Sequence, residues 1–196
     1  MNVAIVKYNA GNIYSVLCAL RRIGVDPVIT DDADLLRRAD KVVFPGVGEA
    51  RSTMTYLREH RLDEVIRSLT QPVLGICIGM QLLCRHSEEG DVDCLGIFDL
   101  PVRRFVPQGA DTKVPHMGWN QLRGVRGPLF EGVSEEEFVY FVHSFYVPES
   151  SHTAALTDYI TPFSAALQKD NFFATQFHAE KSGATGERIL RNFLAL

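Results

Sequence analysis

The chain has 196 residues, of which 46% are apolar and 22% charged, with a formal net charge of −4. That length suits one domain with a single core, and the composition excludes a disordered chain. Without a block of like charge, nothing points to a nucleic-acid or membrane surface, and no apolar run approaches the roughly 20 residues of a membrane-spanning helix.

Met1–Val6 lacks the basic start and long apolar segment of a secretion signal and reads as a first strand. Asn9–Asn12 is turn-like, with Asn12 as helix N-cap. Ile13, Val16, Leu17, Leu20 and Ile23 then recur at helical spacing up to Gly24. Pro27–Thr30 is a second strand, a polar helix follows near Asp34–Ala39, and Val42–Phe44 is a third strand that runs into Pro45-Gly46-Val47-Gly48. A helix spans about 49–68, broken near His60–Arg61. Val73–Ile76 is a fourth strand, and an apolar helix runs from there to about Arg85. These alternations imply a parallel sheet covered on both faces.

Short strand-like runs dominate the second half: Gly96–Leu100, Val102–Val106, His116–Leu122, Phe138–Val147, Ala154–Thr157, Phe163–Gln168 and Phe172–Phe177. Lys169-Asp170-Asn171 joins the last two as a hairpin turn. A final helix covers about Thr185–Leu194. The expected fold is one α/β domain, residues 1–196, with a central mostly parallel sheet flanked by helices and an antiparallel extension in the second half.

The stretch Gly75-Ile76-Cys77-Ile78-Gly79 has the strand–turn–helix context of a nucleophile elbow, with sulfur in place of serine oxygen. Glycines flank the sharp turn, and a cysteine at a helix N-terminus is favoured as thiolate. In isolation the same window also reads as a packed cysteine. Cys18, Cys84 and Cys94 form no Cys-x-x-Cys pair and no zinc-finger spacing with histidines. They read as packing residues, reduced in a cytoplasmic protein.

Ligands of open α/β sheets bind beyond the carboxyl ends of the strands. That rule gathers the Pro45–Gly48 loop, the Cys77 elbow and the segment Gln176-Phe177-His178-Ala179-Glu180. If residues 176–180 stay extended, His178 and Glu180 share a face and can hydrogen-bond. Cys77, His178 and Glu180 then stand as nucleophile, base and orienter. The N–H groups of the Gly46–Gly48 loop and of Ile78 can receive a developing oxyanion. Among the other histidines, His143 belongs to a strand and reads as packing or substrate contact, and His116 lies in a shaped loop. His60, His86 and His152 read as exposed.

These motifs resemble the class I (triad) glutamine amidotransferases: Pro45–Gly48, Gly75–Gln81 and Phe177-His178-x-Glu180. Pro115-His116-Met117-Gly118-Trp119-Asn120, Tyr140–Ser144 and Glu180–Gly183 are similar to the glutaminase subunits of imidazole glycerol phosphate synthases. The resemblance runs from the first strand to the last helix. It implies a flavodoxin-like sandwich in which Cys77 attacks the glutamine amide, His178 shuttles protons and Glu180 orients it. It places the oxyanion hole at Val47, Gly48 and Ile78, and glutamine at Gly46, Gln81, Glu89, Ser144 and Phe145. It further implies a heterodimer with a (β/α)₈ cyclase subunit that uses the ammonia to make imidazole glycerol phosphate and an aminoimidazole carboxamide ribotide. Asn12, Trp119, Asn120, Tyr140 and Lys181 would lie near that docking face. No cofactor or metal is expected.

One departure from the pattern is Ala179, where the family usually carries proline. Proline would hold His178 extended; alanine permits the same geometry less firmly. Two other readings remain at this point. A cysteine-dependent α/β-hydrolase would order its triad nucleophile, acid, histidine, and no convincing Asp-then-His pair follows Cys77. A silent regulatory domain should have lost a triad residue, and all three are present.

Overall fold

The computed structural model describes residues 1–8, 13–46, 48–109 and 112–196. Asn12 and Val47, two of the expected site residues, lie outside the described residues. In chain order the elements are β1 (Val3–Val6), α1 (Ile13–Arg22), β2 (Val28–Thr30), α2 (Ala33–Arg38), β3 (Lys41–Phe44), α3 (Ala50–Glu59), α4 (Leu62–Arg67), β4 (Val73–Ile76) and α5 (Ile78–Leu83). The second half carries β5 (His86–Ser87), β6 (Val92–Asp93), β7 (Pro101–Arg104), β8 (His116–Gln121), β9 (Phe138–His143), β10 (Phe145–Tyr146), β11 (Thr153–Asp158), β12 (Pro162–Lys169), β13 (Phe172–Thr175) and α6 (Gly183–Ala195).

The main sheet has seven strands in the order β11-β12-β13-β4-β3-β1-β2. Pairing is parallel from β2 through β13 and antiparallel across β12 and β11. Side chains alternate across it as a doubly covered sheet requires. In β1, Val3 and Ile5 join the hydrophobic cluster that contains α1 and α6 residues, while Ala4 and Val6 join the one containing α2–α5 residues. In β3, Val43 goes to the first cluster, and Val42 and Phe44 to the second. The core is therefore two layers, one on each side of the sheet.

The expected break between α3 and α4 falls at His60 and Arg61, where Arg61 takes φ 55°. The hairpin at Lys169–Asn171 also forms, with Asp170 at φ 51° as a tight two-residue turn requires.

Several local expectations change. Gly96–Leu100 is not a strand; Gly96 turns at φ 69°, and the chain instead forms the short strands β5 and β6 before it. Val102–Val106 ends at Arg104, and Val106 is exposed. The long run Phe138–Val147 breaks at Ser144: β9 pairs with β8 as a two-stranded ribbon, whereas β10 pairs with β7 in a separate four-stranded sheet. The helix after Cys77 stops at Leu83 rather than Arg85. His86 is half-buried between Asp91 (3.2 Å) and Asp93 (3.0 Å) instead of freely exposed.

The largest correction concerns residues 176–180, which do not stay extended. Strand β13 ends at Thr175, whose hydroxyl donates to the Phe177 carbonyl (3.0 Å) and helps turn the chain out of the sheet. Ala179–Lys181 then forms a 3₁₀ turn.

Candidate active site

Strand β4 delivers Cys77 to the carboxyl edge of the sheet, level with the end of β13. Ile76 pairs with Thr175, and the Cys77 N–H donates to the Thr175 carbonyl (2.7 Å). Cys77 takes φ 52° and ψ −110°, a conformation that costs an L-residue on the order of 1–3 kcal/mol. Tight surroundings impose it. A Cβ on Gly46 would overlap the Ile76 carbonyl and sit 2.5 Å from the Ile78 nitrogen, and one on Gly79 would overlap the Phe44 carbonyl. Pro45 and Gly46 thus lie directly against the elbow, and only glycine allows that approach. The Ile78 N–H stands in the first turn of α5, where backbone donors have no helical partner.

The 3₁₀ turn brings Glu180 back onto His178. His178 Nδ1 donates to Glu180 Oε1 at 2.8 Å, with the two side chains 4% and 1% exposed. At that burial the contact is a shielded pair, so its geometry is held against solvent. Burial pushes the His178 imidazole down, but interaction with the Cys77 sulfur and with Glu180 outweighs it and raises the pKa to about 10. A histidine held protonated beside a thiol is the arrangement that turns the thiol into a thiolate.

What holds His178 is a clamp from the β8–β9 ribbon. The His178 N–H donates to the Tyr140 carbonyl (2.9 Å), the Ser182 hydroxyl donates to the His178 carbonyl (2.7 Å), and the Tyr140 N–H donates to the same hydroxyl (2.9 Å). These bonds do the restraining that proline would do at Ala179. The ribbon that carries Trp119 and Tyr140 is thereby bonded to the backbone of His178.

A cavity of about 410 Å³ opens over these groups, within the usual range for small-molecule sites. Cys77, Ile78, Gly46, Gly48 and His178 line it, as do Gln81, Glu89, Ser144, Phe145 and Lys181. The cavity therefore gathers Cys77, His178 and every described residue assigned to the oxyanion donors and the glutamine site, and Glu180 joins them from behind through His178. Glu89 Oε2 accepts the Ala50 N–H at the start of α3 (2.9 Å). Burial raises the Glu89 carboxyl, with the Ala50 bond pulling it back and Glu49 adding to the rise. The Gln81 Nε2 group donates to the Phe145 carbonyl and to Gln176 Oε1, both at 3.0 Å.

Trp119 is 55% exposed and meets the Tyr140 ring edge-on at 5.9 Å. Met117 beside it is 63% exposed, so the outer face of the ribbon is apolar and open. Lys181 is exposed at the cavity wall. Asn120 differs, because its side chain turns inward: Nδ2 lies 3.3 Å from His116 Nε2 and donates to the Asp158 carbonyl (2.9 Å).

That bond begins a one-way chain. His143 Nδ1 lies 2.7 Å from the Phe145 carbonyl, which can only accept, so Nδ1 carries the proton and Nε2 accepts. His116 Nδ1, 3.0 Å away, must then donate to His143 Nε2, leaving its own Nε2 to accept from Asn120. Both rings are thus neutral. Burial lowers His116 to about 4, and burial lowers His143 to about 3 despite the bond to Phe145. His143 is a packing and wiring residue at the cavity wall. Sequence reasoning missed Gln176 and Ser182. Gln176 stands two residues before His178 on a strand exit, and that spacing is the signal that was available.

The chain matches the family Glutamine amidotransferase class-I over residues 5–196. It is 68% identical to the Imidazole glycerol phosphate synthase subunit HisH of Bacteroides thetaiotaomicron, across all of both chains. It is 46% identical to the protein of that name from Yersinia pseudotuberculosis, again across all of both chains. Among solved structures it resembles a glutamine amidotransferase from Thermotoga maritima, at a TM-score of 0.62 and 16% identity, covering 100% of this chain and 83% of that one. PurLQS from Thermotoga maritima is similar at a TM-score of 0.72 and 15% identity, covering 99% and 97%. These two show the fold alone. On the family match and the full-length relatives, the chain belongs to the class-I glutamine amidotransferase family.

Proposed function

We propose that this chain is the glutaminase subunit of an imidazole glycerol phosphate synthase, hydrolysing glutamine and passing the ammonia to a separate cyclase subunit. The observation that carries the chemistry is the buried His178–Glu180 pair, 2.8 Å apart, whose imidazole shares one cavity with Cys77. The full-length relative at 68% identity supports the substrate and the partner.

In this reading the Cys77 thiolate adds to the side-chain amide carbon of glutamine. The carbonyl oxygen becomes an oxyanion received by the backbone N–H groups of Ile78 and Gly48, both at the cavity wall. His178 gives its proton to the departing nitrogen, releasing ammonia and leaving a glutamyl thioester on sulfur. Water then attacks the thioester, His178 takes its proton, and glutamate leaves as the thiolate re-forms. Glu180 keeps the imidazole oriented and offsets its charge in both halves. Glu89 suits the α-ammonium group of glutamine, being an acidic side chain on the cavity wall. The exposed Trp119 and Met117 and the cation Lys181 form the surface that would meet the cyclase. Free ammonia mostly becomes ammonium at neutral pH, so a shielded handover to a docked synthase makes chemical sense. Among the described residues no helix is long and apolar enough to cross a membrane.

The test is ammonia release from glutamine by the chain alone and with a cyclase partner and its nucleotide ligand. Release should be slow alone, rise strongly in the complex, and vanish with Cys77→Ala while the complex still forms. Glutamine-dependent release by Cys77→Ala would overturn the mechanism.

A further inference from the structure

Gln176 is fully buried at the exit of β13, yet its carboxamide belongs to neither the sheet nor the substrate-binding groups named above. We propose that Gln176 is a further catalytic residue, an uncharged N–H donor held against the Cys77 sulfur to stabilise its thiolate. The proposal rests on Cys77 being the nucleophile.

The geometry determines which end of the amide faces the sulfur. Gln81 Nε2 donates to the Phe145 carbonyl, which can only accept, so the Gln81 amide has one possible orientation. The same Nε2 is 3.0 Å from Gln176 Oε1, which must therefore be the acceptor. The Gln176 Nε2 group is then left facing Cys77 Sγ, at 3.8 Å. The Gln176 backbone N–H is bonded to the Ala165 carbonyl (2.8 Å), which anchors the residue in the sheet. None of these bonds leaves the amide free to flip.

The sulfur has one other polar neighbour of opposite preference. The Val142 carbonyl lies 3.9 Å from Cys77 Sγ and can accept only from the protonated thiol. A carbonyl oxygen repels a thiolate, whereas an amide N–H attracts it. Protonated sulfur is thus satisfied by Val142 and ionised sulfur by Gln176, so the amide offsets a backbone dipole that would keep the proton on. The charged groups around the sulfur are His178 with Glu180 behind it, and Glu89 and Lys181 on the cavity wall. His143 beside them is neutral. Because Gln176 carries no charge, it can favour the thiolate without competing with His178 for Glu180.

The experiment is site-resolved alkylation of the chain by iodoacetamide, with the rate at Cys77 followed against pH by peptide mass spectrometry. Gln176→Met keeps an apolar volume and removes the N–H. The Cys77 midpoint should rise by about one pH unit, so that at pH values below the original midpoint the alkylation rate falls roughly tenfold. The KM for glutamine in the complex should change far less than kcat. A folded Gln176→Met chain with an unmoved midpoint would overturn the proposal. Should that variant not fold, the unsubstituted chain supplies the readout. The side-chain N–H resonances of Gln176 must shift with pH through the Cys77 alkylation midpoint, and the shift must disappear in Cys77→Ala; a flat titration overturns the proposal equally. Ammonia release that survives Cys77→Ala would instead defeat the glutaminase reading, while the resonance titration would still report on the bond to sulfur.

Discussion

Lowering the pH from 7 to 5 should destabilise the fold through two histidines that are not in the triad. His116 and His143 are neutral in the fold, lowered to about 4 and about 3 by burial, and both titrate near 6.5 once unfolded. The unfolded chain therefore binds more protons than the folded one across this window, so stability falls as the pH drops. For His143 the loss between pH 7 and 5 is about 2 kcal/mol, and for His116, discounted for partial solvent screening, about 1 kcal/mol. His178 acts in the opposite sense. Its raised pKa means that its stabilisation is complete below the unfolded value near 6.5 and is lost as the pH climbs toward about 10, so acidification to pH 5 returns about 1 kcal/mol. The net loss is about 2 kcal/mol, a sizeable part of the 5–15 kcal/mol typical of a folded domain. Urea unfolding at pH 7, 6 and 5 measures it directly. His116→Gln keeps a donor toward His143 Nε2 and removes one titrating ring, so its curve should be shallower. Stability that is flat or rising from pH 7 to 5, or a His116→Gln slope equal to the original, would refute the assignment of these rings as neutral.

Two substitutions test the clamp on His178. Ser182→Ala removes a buried hydroxyl that bridges the His178 carbonyl and the Tyr140 N–H, at a cost of about 1–3 kcal/mol in thermal or urea unfolding. It should also lower kcat for glutamine with KM little changed, and a variant unaltered in both stability and kcat would show that the bridge is dispensable. Ala179→Pro replaces the first residue of the 3₁₀ turn, preceded by His178 at φ −82° and ψ 95°, a conformation that tolerates a following proline. It should gain about 0.4–1 kcal/mol and leave partner-stimulated turnover near unchanged or raise basal hydrolysis. Loss of the complex on this change would show that the buried Ala179 turn shapes the docking surface instead.

The features legible in the sequence were those with local causes. The alternation of strand and helix through Leu83, the break at Arg61, the Asp170 hairpin and the glycine-flanked turn at Cys77 each follow from short-range periodicity or from a backbone angle that few residues accept. The motif around His178 and Glu180 identified the pair, but the expected extended backbone was wrong. Thr175 and the Tyr140–Ser182 clamp bend that segment into a 3₁₀ turn, and those partners come from distant parts of the chain. The division of Phe138–Val147 at Ser144 is likewise a matter of pairing: β8 claims one half and β7 the other, and the polar pair His143-Ser144 inside the run does not by itself show that the strand changes partner there. The same holds for the charge state of His116 and His143, set by burial and by a carbonyl that can only accept, and for the direction of the Gln176 amide. Sequence alone determined which residues could react. Tertiary structure decided which way each proton points, because hydrogen-bond direction depends on groups that only the packed fold brings within 3–4 Å.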